Sequence, residues 1–232
     1  MVVTVKQSTA TAGSAFSYDR PRVTSVTPLN VPVTGGVVVY VYGDGFGGSD
    51  YGAVVRIGAT ACATTTYFTS SFLQCTASAG VGAMLDVVVG VVGQEGSMAG
   101  VQSYDAPEVT GVAPASGSTV GGTVVTASGD SFGVFDSSVR LRVGGTSCVS
   151  GAWVSDSSTV CKSGSGVGGT AAVVASVSRV EGTLVGSFSY AAPGPSGVVP
   201  RNVGTTGGSS VTVVGGSFGG ADRSGAARVG GT

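Results

Sequence analysis

"VTGGVVVYVYGDGF", residues 33–46, sets a Gly-Gly turn before an apolar run and a Gly-Asp turn after it, closing on Phe46. A short β-branched run bounded by turn residues predicts a β-strand with one buried face. The outline returns as "TVGGTVVTASGDSF" (119–132) and again as "GTTGGSSVTVVGGSF" (204–218). Val39, Val125 and Val211 share one inward phase, and Val41, Ala127 and Val213 the next. Their neighbours Tyr40, Thr126 and Thr212 point outward, as a period of two requires. Gly43, Gly129 and Gly215 allow a backbone bend, so that Phe46, Phe132 and Phe218 return to plug the core.

Outward from this stretch the repetition stays in phase. Pro28, Pro114 and Pro200 are 86 residues apart, as are Arg56, Arg142 and Arg228, and Tyr18, Tyr104 and Tyr190. The pairs Cys62/Cys148 and Cys75/Cys161 keep the same interval. A period of this length exceeds the common solenoid units and suits a small independent domain. Two complete units are expected at 20–104 and 106–190. By phase, residues 1–18 correspond to the closing strands of a preceding unit, and 192–232 to the opening of a following one. The expectation is a window into a longer array. The alternative is that end pieces of neighbouring chains complement each other as donated strands.

Composition supports an all-β chain. Gly is abundant, with 42 residues, and 42% of residues are apolar, enough to build cores despite the glycine. Amphipathic helix patterns are absent. Net charge is −1, with Lys only at positions 6 and 162, which argues against a nucleic-acid partner. No apolar run reaches the roughly 20 residues that span a bilayer, so no membrane insertion is expected in this segment.

Each unit opens on an X-Pro segment suited to an edge strand: "RPRVTSVTP", "APEVTGVAP" or "APGPSGVVP". The repeated strand follows, then "AVVRIG", "VRLRVG" or "AARVG" with Arg outward, and two further strands that end on "SY". The succession of X-Pro strand, Gly-Gly-x-x-Val-x-Val-x-Gly-x-x-Phe, Val-Gly-Gly-x-x-Cys, a second Cys and a closing Tyr resembles the IPT/TIG family over the whole chain. The resemblance implies tandem immunoglobulin-like β-sandwiches of two antiparallel sheets. Such domains occur in receptor ectodomains, in large surface proteins, in Rel-type transcription factors and as accessory modules of starch-degrading enzymes, and the fold alone does not choose among them.

One cysteine pair falls in each complete unit, Cys62 with Cys75 and Cys148 with Cys161. A metal site is the alternative, but the chain has no His and no Cys-x-x-Cys spacing. Disulfides are the expected chemistry, and they place the chain in an oxidising compartment, against the Rel-type branch. Asp44/Asp50 and Asp130/Asp136 suggest calcium ligation, yet the third copy has Gly216 at the first position. Turn-forming Asp is the simpler reading. Arg56, Arg142 and Arg228 are either solvated or locally paired, or they contact a neighbour. Tyr67 and Trp153 share one phase between the cysteines, where an aromatic either packs over the disulfide or stacks on a glycan or partner. Without His, and without recurring acid pairs, no catalytic, cofactor-binding or metal residue is assigned and no enzyme activity is expected.

Asn30 and Asn202 lie outside N-glycosylation sequons. Ser and Thr are dense in "TTTYFTSS", "ASGSTVGGT" and "SDSST", which are either O-glycan carriers or plain loops. Links such as Tyr104-Asp105-Ala106-Pro107 are short, so a stiff, rod-like array is expected. The functional expectation is a structural repeat segment of an extracellular or cell-surface protein, in a glycosylated fibre or a wall or matrix layer, associating as a homo-oligomer or polymer. The alternative is the stalk of a receptor or adhesin.

Overall fold

The computed structural model describes residues 2–6, 8–11, 13, 17–221 and 225–230. Parts of the predicted end pieces 1–18 and 192–232 therefore lie outside the described residues. Every regular element described is a β-strand.

In the first complete unit, one sheet places Arg22–Thr27, Val38–Asp44, Phe72–Thr76 and Thr64–Thr69 side by side in that order. The other runs Asn30–Val31, Gln94–Tyr104, Leu85–Val91, Val54–Ile57 and Thr60–Ala61. The period-two pattern of Val38–Asp44 is satisfied, with Val39 and Val41 sealed from solvent and Tyr40 and Tyr42 outward. Leu73 and Cys75 are buried beside them on the neighbouring strand, Val55, Val87 and Val89 are buried on the other sheet, and Phe46 is sealed from solvent with them. The X-Pro strand lies on a sheet edge, where its missing N–H costs no ladder bond. The peptide bonds before Pro28, Pro114 and Pro200 are cis.

The second unit repeats this layout. Its first sheet orders Glu108–Ala113, Val124–Asp130, Ser158–Lys162 and Ser150–Ser155. Its second orders Ser116–Gly117, Val180–Tyr190, Ala171–Val177, Arg140–Val143 and Thr146–Ser147. Both strands of every equivalent pair keep the 86-residue offset at both ends. The core gathers Val125, Ala127, Phe132, Leu141, Val143, Val173 and Phe188.

Two expectations are corrected. The stretch between the cysteines is no loop: it forms a hairpin, Thr64–Thr69 with Phe72–Thr76, that completes the first sheet. Its outer strand is largely exposed and Thr-rich, so it lacks the apolar alternation that marks a half-buried strand. The second correction concerns Gly43 and Gly129. Neither has a positive φ; instead, a methyl group there would collide with the carbonyl oxygen of Arg22 or Glu108 on the edge strand. Close backbone approach, not bending, excludes a side chain at this position.

Outside the two units, Val2–Val5 pairs with Ser8–Thr11, and Gly194–Val199 pairs with Thr212–Gly216. Phe218, expected to plug a core, is 47% exposed.

Candidate functional site

Cys75 and Cys161 sit fully inside on the Phe72–Thr76 and Ser158–Lys162 strands. Each reaches outward to the corner where the chain crosses between the sheets, bonding Cys62 and Cys148 respectively. The Cα–Cα distances are 5.7 and 5.9 Å, and every cysteine described is bonded. Disulfides in both domains put the chain in an oxidising compartment, outside the cell or at its surface.

Tyr67 and Trp153 are half-buried and tied inward by their polar tips. The Tyr67 hydroxyl donates to the Gly47 carbonyl at 2.7 Å, and the Trp153 indole N–H to the Gly133 carbonyl at 3.0 Å. The two acceptors are themselves equivalent by phase, so two different aromatics brace the same turn. Trp153 also borders a cleft of about 360 Å³ with Cys148, Asp136, Arg140 and Leu141.

Asp50 and Asp136 accept backbone N–H bonds from Gly52 and Ser138, two residues on, at 2.9 and 3.0 Å. This is the Asx-turn geometry that lets a short acid hold its own loop. Among the described residues no group of three potential ligands is placed to hold a metal ion. Arg56 and Arg142 pair with Glu95 and Glu181 at 2.7 and 2.6 Å, reaching across the intervening strand. Both pairs are well exposed, which limits each to about 0.2–1 kcal/mol.

The side chains that sequence reading left unassigned lie on the outer face of the first sheet of the first unit. Tyr42 stacks on Phe72 with ring centroids 5.0 Å apart and planes 21° apart. Tyr40 stacks on the same ring at 6.0 Å and 22°, and Phe68 lies 5.1 Å from it, tilted by 36°. The four come from three strands and meet only through the pairings Tyr42–Phe72 and Tyr40–Gln74 and the hairpin turn. The outward phase of Tyr40 was legible in the sequence. Its neighbours across the ladder were not, because strand order was needed to find them.

Two sheets packed face to face, antiparallel apart from the short edge strand Ser116–Gly117 that pairs parallel with Val180–Tyr190, with an edge X-Pro strand and a core of alternate residues from both, define an immunoglobulin-like sandwich, here in tandem. The chain belongs to the IPT/TIG domain family, whose profile matches residues 21–104 and 107–191. Among solved structures it is similar to the full extracellular region of plexin A4, at 20% identity and a TM-score of 0.37, over 78% of this chain and 19% of that one. It is also similar to a surface glycan-binding protein of Prevotella bryantii, at 14% identity and a TM-score of 0.47, over 72% of this chain and 42% of that one. The chain thus spans less than half the length of either. Among the described residues no helix is long and apolar enough to cross a membrane.

Proposed function

We propose that the chain is a structural repeat segment of an extracellular or cell-surface protein, built to form or decorate a glycosylated fibre or a wall or matrix layer. One observation carries this reading: two sandwiches repeat each strand and one crosslink at a fixed offset of 86 residues. Repetition at that fidelity builds equal modules, whereas a catalytic site needs residues that break the pattern. No catalytic turnover, cofactor or nucleic-acid partner belongs to this reading. Association with further copies is supported by the low charge and by exposed strand edges. On the same reading, residues 1–18 and 192–232 belong to a preceding and a following domain, O-linked sugars sit on the Ser/Thr-rich stretches, and Tyr67 and Trp153 act as braces.

Electron microscopy of native material together with intact mass tests the proposal. Ordered polymers, and a mass above the polypeptide value through sugars on Ser or Thr, are expected. An unmodified chain that stays dispersed at high concentration overturns the fibre reading and favours the stalk of a receptor or adhesin.

A further inference from the structure

We propose that the open cleft where the chain enters the first domain is a socket for the Gly-Val-Gly tongue of a preceding sandwich of the same repeat. The inference rests on the proposed reading of residues 1–18 as the closing strands of such a sandwich, and it names the contact that joins the two.

Each complete domain carries one tongue, Gly80-Val81-Gly82 and Gly166-Val167-Gly168, and both are built alike. The N–H of Gly80 donates to the Val33 carbonyl at 3.0 Å, and that of Tyr104 to the Gly82 carbonyl at 2.8 Å. The N–H of Gly166 donates to the Thr119 carbonyl at 3.0 Å, and that of Tyr190 to the Gly168 carbonyl at 2.9 Å. A methyl group on Gly80 or Gly166 would collide with the ring of Tyr104 or Tyr190. Gly82 and Gly168 have φ of 111° and 120°, where a side chain is strained. Glycine on both sides leaves the valine as the only side chain that the tongue presents.

The first tongue shows what that valine does. Segments Pro32–Thr34 and Ala79–Ala83 belong to the compact body of the second sandwich. Val81 packs against its core, and a methyl group on Gly133, itself buried, would stand 3.1 Å from Val81 Cγ1. The third copy begins the same contact. A methyl group on Gly220, the counterpart of Val134, would lie 3.3 Å from the Ser165 Cβ at the foot of the second tongue. Two seats in the chain thus meet a tongue.

The equivalent seat on the first domain is open. Gly47 is the counterpart of Gly133, and with Tyr18, Pro21, Tyr51 and Val91 it lines a cleft of about 870 Å³. Tyr51 replaces Ser137 and stands beside Gly47, which gives this seat an aromatic wall. Tyr18 is the counterpart of Tyr104, around which the first tongue is wrapped; Tyr104 is 3% exposed and Tyr18 80%. The lining also selects an apolar occupant. Asp19 is its only charge, and the Gln94 amide already donates to the Tyr18 carbonyl at 3.1 Å. A valine between two glycines brings apolar surface and no charge that the cleft must solvate.

Two measurements test the proposal. In the whole chain, Val81→Asp sets an unpaired charge against the second core. It should lower the calorimetric transition of the second domain by several degrees and spare that of the first. An unchanged second transition overturns the proposal, because the tongue then contributes nothing to its seat. The second measurement is hydrogen exchange on the whole chain extended by a copy of residues 20–86 placed directly before Met1. This extension keeps the 86-residue phase and completes a sandwich. Exchange at residues 45–51 and 91–94 should slow by about tenfold relative to the unextended chain. Val81→Asp in the added copy, or Gly48→Arg in the cleft, should restore fast exchange. Gly48 has open space around it and no positive φ, so the arginine blocks the cleft without straining the fold. A calorimetric enthalpy larger by one domain's share marks the added sandwich as folded. That increase without slowed exchange overturns the proposal alone, whereas no increase overturns the reading on which the proposal rests, and the proposal with it. Exchange in the unextended chain that slows as concentration rises also overturns it, by giving the cleft to a second copy.

Discussion

Gln102 occupies a core position that its equivalent, Phe188, fills with a ring. Its side chain is only 1% exposed, and neither amide atom has a hydrogen-bond partner. A buried amide without partners loses its water and gains nothing back, a cost of about 1–3 kcal/mol. Gln102→Met keeps the volume and removes the polar atoms, so it should stabilise the first domain. The measurement is the thermal midpoint, expected to rise by roughly 4–8 °C for each kcal/mol recovered. An unchanged midpoint would mean that the amide is satisfied. Tyr104 supplies a second residue-level test. Burial pushes its phenol above the ordinary value. The neutral form is thus favoured in the folded state, and the unfolded chain gives up its proton first as pH rises. Stability contributed by this group is intact below about pH 10 and falls as pH climbs from there toward the folded value. Tyr104→Phe should flatten the alkaline limb of a denaturant-midpoint profile.

Among elements, the long strands Gln94–Tyr104 and Val180–Tyr190 pass against the opening X-Pro segments at Gly96 and Gly182. A methyl group at either would collide with the carbonyl oxygen of Pro21 or Pro107. At Gly90, by contrast, the nearest atom to an added methyl is 3.9 Å away. Gly96→Ala should therefore destabilise the first domain by about 2 kcal/mol or more through overpacking against backbone. Gly90→Ala should be neutral within about 0.5 kcal/mol, and equal effects in urea melts would count against the steric account. This contact shows what sequence could and could not supply. The strand carrying Val39 and Val41 was legible because each buried residue announces its face by period two. So was the offset between domains, which fixes nine elements at once. The hairpin between the cysteines was not, since "TTTYFT" hides a pairing strand under an exposed, hydroxyl-rich face. The stacked aromatic cluster was hidden for a related reason: Tyr42 and Phe72 become neighbours only when the Val38–Asp44 and Phe72–Thr76 strands pair. The glycines at 43 and 96 were visible as letters, but the carbonyls they make room for, of Arg22 and Pro21, belong to the opening X-Pro segment, far off in the sequence.

For the whole molecule, the two sandwiches each carry a separate core and a separate crosslink, so the chain should not unfold as one two-state unit. The loops closed by Cys62–Cys75 and Cys148–Cys161 are the same length, and each constrains only the unfolded form of its own domain. In the chain-entropy view, losing one bridge costs about 3 kcal/mol. The double variant Cys62→Ala, Cys75→Ala should then lower one calorimetric transition by many degrees and leave the other in place. The variant Cys148→Ala, Cys161→Ala should do the converse, and reductant should lower both. Adding Gln102→Met to the first variant should raise only the transition that the cysteine loss lowered, which assigns that transition to residues 20–104. If either cysteine variant moves both transitions by equal amounts, the two domains share their stability, and the description of the chain as independent modules fails.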